Sequence, residues 1–309
     1  MFIYEVGFQL GEIEIDPIEI VSEIDENRLK ILSKTGFTKL YKSEKSSEEL
    51  ALLACRNMTG RVRENIDYLI CVSSVIDSAP SIAIKLHAKL KLKSNVPFLQ
   101  IQDACTGFTR ALELCSQIIQ SKGASNILLI LTDTYRQYFS SSQLHLSTLF
   151  SDGSSAFIIS STNKLNDDYS RSLNWEVLKC SQVINGNLDS SLTIMSRDEK
   201  LELEMNGASV FQFVATEIGR VIEELSQSNG NEIQRWYLHQ GSKITIDAVS
   251  SILKKDGKDL FKSSNYGNVV GSSIPFQLHD EQFNFSGKFG MLSFGMGLNI
   301  HGLVIENKI

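Results

Sequence analysis

The chain has 309 residues, 42% of them apolar and 21% charged, with a formal net charge of −6 and only 4 prolines. That length can bury one large core or two closely packed halves. An acidic balance argues against a nucleic-acid partner, which needs a concentrated Lys/Arg surface, but leaves room for a local basic patch that meets an acidic carrier protein.

In chain order, the opening MFIYEVGFQLGEIEID lacks a positive n-region and carries early acids, so it does not read as a signal peptide. Lys42–Glu49 reads as a charged surface turn leading into a helix. Short apolar runs rich in β-branched residues predict buried strands at Ile66–Val72, Val96–Ile101, Ile127–Leu131 and Ala156–Ile159. Between them, Phe108, Ala111, Leu112, Cys115, Ile118 and Ile119 recur at steps of three and four, one face of an amphipathic helix. The stretch Asn163–Asp198 is rich in Ser, Asn and Asp and reads as a connection between halves, with a short strand possible at Asn174–Leu178. A longer helix is predicted over Ala208–Leu225, turning Phe211, Val214, Ile218, Val221 and Ile222 inward. Strands alternating with helices imply an α/β fold around a buried, mostly parallel sheet. No apolar run approaches the ~18–20 residues of a membrane span, and a cytoplasmic location is expected.

The two halves echo each other faintly. IDYLICVSS (66–74) and IQRWYLHQG (233–241) both read as a strand ending in a polar turn. About 30 residues on in each half, a strand breaks at a small-residue turn, carrying Cys105 in the first and Asn268 in the second.

Three residues at these turns carry chemical potential. Five cysteines, an odd number with no CxxC pair, read as reduced thiols and not as a disulfide set or a zinc site. Cys105, in FLQIQDACTGFTRAL, falls where a strand ends and a helix begins. A thiol there meets unpaired N–H groups and the positive end of the helix dipole, which lower a free pKa of roughly 8.5. Gly107 beside it would let substrate approach the backbone. Cys55, Cys71, Cys115 and Cys180 read as buried and inert. Of the five histidines only His239, in RWYLHQGSKITIDAV, stands at a strand end before a glycine turn. Asn268, in SSNYGNVVGSSIPFQL, is by itself a turn former. Taken singly, each is more often structural than catalytic.

Together and in order, these segments resemble β-ketoacyl-acyl-carrier-protein synthase III and its relatives in the thiolase superfamily. DACTGFTRAL resembles that family's nucleophile segment, and LFSDGSSAFII (149–159) its Gly-Asp-Gly turn. LHQGSKITIDAV is similar to its histidine turn, YGNVVGSSIPFQL to its asparagine turn, and LSFGMGLNIHGLVIE to its glycine-rich C-terminal strand pair. KTGF (34–37) extends the match toward the N-terminus. The resemblance implies a thiolase fold, with duplicated βαβαβ halves in a five-layer αβαβα arrangement. The halves would span 1–162, carrying the cysteine, and 163–309, carrying the histidine and asparagine.

The resemblance also implies a reaction. Cys105 takes an acyl group from a CoA or carrier-protein thioester, and a malonyl-type thioester then loses CO₂ to give an enolate that attacks it. His239 and Asn268 are implied as the enolate's neutral donors, and the backbone N–H groups of Cys105 and Met296 as the oxyanion hole. No permanently bound cofactor and no metal are implied, only thioester substrates; a homodimer through Val96–Ile101 is expected. Lys30, Lys34, Ala79 and Gly271 are the expected substrate contacts. The departures are specific. Lys30 stands where an aromatic CoA clamp is expected, Lys34 and Leu144 where arginines are, and Lys243–Ile244 where another arginine follows the histidine turn. A flexible ammonium does not replace a planar guanidinium stacked on adenine, so carrier protein could replace CoA as donor. Ala79 stands where a bulky residue gates the acyl tunnel, leaving room for a longer or branched chain. A specialised relative is therefore expected, in fatty-acid or secondary-metabolite biosynthesis. The alternatives are a non-decarboxylating acyltransferase forming a C–O or C–N bond, and a scaffold partner of a heteromeric ketosynthase.

Overall fold

The computed structural model describes residues 1–21, 26–75, 79–140, 142–165, 172–186, 192–197, 200–227, 233–281 and 286–308. Nine strands form the main sheet: β1 (Phe2–Leu10), β2 (Tyr68–Val72), β3 (Phe98–Ile101), β4 (Asn126–Asp133), β5 (Gly153–Ser160), β6 (Ser172–Ile184), β7 (Ile233–Leu238), β8 (Gly287–Gly295) and β9 (Asn299–Asn307). Their order across the sheet is β7-β8-β9-β6-β1-β5-β4-β2-β3. The strands of the first 160 residues and those from 172 onward thus occupy separate ends, joined where Phe2–Tyr4 of β1 meets Ser172–Asn174 of β6.

The principal helices are α1 (Glu26–Thr35), α2 (Ser47–Ala54), α3 (Ile82–Lys89), α4 (Gly107–Gln120), α5 (Gly207–Ser226), α6 (Lys243–Leu253) and α7 (Ser273–Asp280). Helix α4 packs against β2 and β4 on one side and β6, β8 and β9 on the other. Helices α2 and α3 cover the outer face of the first half, while α5 covers the outer face of the second with α6 against it. The expected five layers follow: helices, sheet, central helices, sheet, helices.

This layering explains the uninterrupted apolar runs. In β4, Ile127, Leu129 and Leu131 pack toward the central layer, while Leu128 and Ile130 pack toward the outer helices. Both faces are covered, so the strand has no polar face to alternate. Burying such a side chain stabilises by roughly 1.5–3 kcal/mol. The charged turn before α2 ends in a capping box: the Glu49 N–H donates to Ser46 Oγ (3.3 Å) and the Ser46 N–H to Glu49 Oε2 (2.9 Å).

Several expectations need correction. The sheet is mixed: β2–β3, β2–β4 and β7–β8 are parallel, while β1–β5, β1–β6, β4–β5, β6–β9 and β8–β9 are antiparallel. Apolar runs report burial on both faces, and two-sided burial is as available to antiparallel strands when helices cover them. The stretch read as an irregular connection contains the 13-residue strand β6, which encloses Asn174–Leu178; its residues 166–171, 187–191 and 198 lie outside the described residues. In α5 it is Phe213 and Leu225, with Val214, Ile218 and Val221, that are fully buried, whereas Phe211 and Ile222 are half-buried. Among the described residues no helix is long and apolar enough to cross a membrane.

Candidate active site

Cys105 sits in a short 3-10 turn, Ala104–Thr106, between β3 and α4. The turn is strained: Ala104 has φ +37°, in the left-handed region that L-residues avoid. Opposite it, Val270 has φ +50° and opens a second 3-10 turn, Val270–Ser272, leading into α7. Turn, strain and following central helix repeat in both halves, so the echo of Cys105 and Asn268 has a structural basis.

The thiol is 3% exposed. Burial and then the Asp133 carboxyl push it up to about 12, against the opposing pull of the Met296 and Cys105 backbone N–H groups. This overturns the expected lowering. The N–H groups of the turn still favour thiolate, but loss of water outweighs them and the Asp133 carboxyl adds to that loss. The same contacts place the Met296 and Cys105 N–H groups at the sulfur. Gly295 makes the approach possible: a Cβ there would fall 2.7 Å from Cys105 Cβ and 2.9 Å from Sγ. Gly107 has a different role from the one expected. Its missing Cβ is replaced by Val72, whose Cγ1 would lie 2.2 Å away, so this glycine lets α4 pack on β2.

His239 follows β7, its backbone N–H donating to the Leu292 carbonyl (2.8 Å) and its ring edge-on to Phe294 at 5.5 Å. Burial lowers its pKa to about 3, with a backbone hydrogen bond at Val270 acting in the opposite sense. A backbone partner favours imidazolium only by accepting, so the Val270 carbonyl takes a ring N–H. The neutral ring then presents its other nitrogen as an acceptor.

Asn268 is held on all sides. Its backbone N–H donates to the Leu149 carbonyl (3.1 Å) and its carbonyl accepts from the Ser151 N–H (2.9 Å). Its side-chain Oδ1 accepts from the Val270 N–H (3.0 Å) and the Ser273 hydroxyl (3.4 Å). With Oδ1 engaged twice, Nδ2 is left as a free donor among the described residues. The Ser-Asp-Gly turn buttresses this arrangement: buried Asp152 accepts from the Arg136 N–H (3.0 Å) and the Ser43 N–H (2.8 Å).

Cys105, His239 and Asn268 line one cavity of about 450 Å³, together with Gly295 and apolar side chains including Phe150, Met205, Phe211 and Phe294. Lys34 reaches its wall. Lys30, Ala79 and Gly271 do not. Lys30 pairs with Glu26 (2.8 Å) on the surface, Ala79 is exposed, and Gly271 lies buried behind the nucleophile turn. Where arginines were expected at Leu144 and Lys243–Ile244, His145 next to the first and Ile244 itself line the cavity, and Lys243 pairs with Asp247 (2.5 Å). Cys55, Cys71 and Cys115 are buried as read, but Cys180 is exposed. Among the described residues no cluster of His, Cys, Asp or Glu could hold a metal ion. Sequence reasoning missed Val270 and Asp133; the latter ends the apolar run ILLILTD, where a carboxyl closing a buried strand is the available signal.

A family described as 3-oxoacyl-[acyl-carrier-protein (ACP)] synthase III matches residues 99–176. A β-ketoacyl-[acyl-carrier-protein] synthase III from Clostridium perfringens is 30% identical over 304 residues, covering 89% of this chain and 90% of the relative. The chain belongs to the β-ketoacyl-[acyl-carrier-protein] synthase III family. Another synthase III, from the alga Porphyra purpurea, is 27% identical with 98% of each chain covered. The solved 3-oxoacyl-[acyl-carrier-protein] synthase III of Aquifex aeolicus superposes with a TM-score of 0.84 at 21% identity, covering 98% of this chain and 99% of its own. Membership of the synthase III family covers nearly the whole chain, so both halves and all three site turns fall within it.

Proposed function

We propose that this protein is a decarboxylating condensing acyltransferase of fatty-acid or secondary-metabolite biosynthesis, with Cys105 as acyl carrier. The convergence of Cys105, His239 and Asn268 on one largely apolar cavity carries the reading. His239, neutral and with an acceptor nitrogen toward the cavity, takes the Cys105 proton as sulfur attacks the thioester carbonyl. The oxyanion receives the N–H groups of Cys105 and Met296, and its collapse expels the donor thiol with the proton returned from His239. In the second half-reaction a malonyl-type thioester loses CO₂. The Asn268 Nδ2 donates to the oxygen that becomes the enolate, and His239 adds a second donor when its cavity-facing nitrogen is protonated. The enolate carbon then attacks the acyl-enzyme, forming the C–C bond and freeing the Cys105 thiolate, which recovers a proton.

Acyl carrier protein or CoA thioesters are the substrates of this reading, with Lys34 at the cavity wall as the available cation. Phe98 and Leu99, 41% and 36% exposed on edge strand β3, support a homodimer formed through that strand. A cytoplasmic location and a division of the chain at residues 162/163 complete the proposal. A second reading uses the same His239 acceptor as a base on an incoming hydroxyl or amine, forming a C–O or C–N bond without loss of CO₂.

Intact-mass measurement after incubation with acyl-CoAs and acyl-carrier proteins tests the proposal. An acyl adduct on wild type, absent from Cys105→Ala, is expected, followed by CO₂ release from malonyl-carrier. No adduct with any donor would remove Cys105 as the carrier. An adduct without CO₂ release would transfer the assignment to the second reading.

A further inference from the structure

A buried acid adjoins the acyl-transfer centre without taking part in the reaction just described. Asp133 ends β4 and is 1% exposed. Its Oδ1 accepts the Ser74 N–H at 2.9 Å, just beyond β2 in the first half. Its Oδ2 faces the second half: a Cβ on Gly271 would lie 3.6 Å from it and 3.1 Å from the Ala104 carbonyl oxygen. The Gly271 N–H favours the ionised carboxyl without completing a full hydrogen bond to Oδ2. One side chain thus spans both halves at the point where the two strained turns meet.

Gly271 follows Val270, on which the rest of the site depends. The Val270 N–H fixes the Asn268 Oδ1, and the Val270 backbone holds the His239 ring. A β-branched residue at φ +50° persists only where its neighbours over-determine it, and Asp133 supplies the contact beside it. The titratable groups around the carboxyl are Cys71 from β2, Cys105 from the nucleophile turn, Tyr135 after β4, and Asp152 before β5, whose charge is shared with Arg136. The facing turn of the second half contributes the Gly271 N–H, while the Ser272 hydroxyl is hydrogen-bonded to that of Ser155 (2.9 Å). No cation other than Arg136 appears among these neighbours. Burial, followed by the weaker effect of Asp152, pushes Asp133 up to about 7.

We propose that Asp133 is a positioning residue for acyl transfer: its carboxyl braces the Val270–Gly271 turn that orients His239 and Asn268, and its ionisation opposes thiolate formation at Cys105. The proposal rests on Cys105 being the acylated nucleophile, so its test includes a readout that needs no acyl donor.

Wild type and Asp133→Asn are compared from pH 5.5 to 9 in two assays: alkylation of Cys105 by iodoacetamide and single-turnover acylation by acetyl-CoA. The amide keeps an acceptor for the Ser74 N–H and removes the charge. The variant-to-wild-type rate ratio for alkylation is expected near one at pH 5.5 and about tenfold at pH 8.5, the effect of roughly one pKa unit. A constant ratio across the range overturns the proposal. Should the variant fail to fold, the wild-type alkylation profile decides. A slope that dips below tenfold per pH unit near neutrality supports the coupling, and an unbroken slope overturns it. Failure of acetyl-CoA and every other thioester to acylate wild type, with the alkylation ratio still pH-dependent, would defeat the carrier reading while leaving this coupling intact.

Discussion

Replacing Gly295 with alanine tests the architecture of the nucleophile directly. The new Cβ would lie 2.7 Å from Cys105 Cβ and 2.9 Å from Sγ, whereas carbon atoms rest at about 3.5–4.0 Å. Relief requires a shift of about 1 Å, and neither partner is soft. Gly295 is paired with Asn299 at the end of β8, and Cys105 follows a residue already at φ +37°. Overpacking of this kind costs about 1–3 kcal/mol of stability. The kinetic effect is larger, because a misplacement of about 1 Å at a reacting atom costs about 100-fold in rate. Thermal unfolding and single-turnover acylation followed by intact mass separate the two. The expected result is a melting temperature lowered by a few degrees and acylation slowed by about 100-fold. Gly60→Ala, where nothing lies within 4 Å of the added carbon, serves as the neutral control. Acylation within about twofold of wild type in Gly295→Ala would refute the placement of the sulfur.

Other outcomes follow from single contacts. Asn268→Ala removes the free Nδ2 donor and should slow malonyl decarboxylation by about 100-fold or more while acylation falls much less; equal losses in the two half-reactions would contradict its role. Gly107→Ala drives a carbon to 2.2 Å from Val72 Cγ1, so it should lower the unfolding midpoint more than Gly295→Ala does. His239 has a folded pKa of about 3, below its unfolded value, so the unfolded chain binds the extra proton between those values. Stability should fall as pH drops from about 6.5 toward 3, and His239→Asn should weaken that dependence in pH-resolved unfolding. Phe98→Lys on the exposed edge strand should shift sedimentation toward monomer; an unchanged dimer would place the interface elsewhere.

Sequence pattern carried the strands and the helix after Cys105 because two-sided burial leaves a visible mark on composition. It could not assign strand direction. The runs of β4 and β5 look alike, yet β4 is parallel to β2 while β5 is antiparallel to β4. Strand β6 was legible only in part, at Asn174–Leu178, because its burial alternates and its residues 174–184 include Asn, Glu, Lys, Ser and Gln, the marks of a strand half open to solvent. The three site residues were legible as an ordered set of turns. Their environment was not: burial of Cys105, the facing Asp133 and the strain at Ala104 and Val270 arise from contacts between distant segments.

Those contacts change what the site demands of its chemistry. A thiol at about 12 and an imidazole at about 3 cannot form a stable ion pair at neutral pH. In the proposed reaction the proton therefore moves as the thioester carbonyl arrives and the Cys105 and Met296 N–H groups take up the developing negative charge. Such a site resists idle oxidation and alkylation of Cys105, since thiolate is the reactive species. Backbone N–H groups of Met296 and Cys105, and no side-chain cation, meet the sulfur among the described residues. A lysine or arginine there would hold the thiolate in the resting state and weaken its nucleophilicity. The nearby carboxyls, Asp133 first and Asp103 after it, have when ionised the sign that keeps the proton on sulfur.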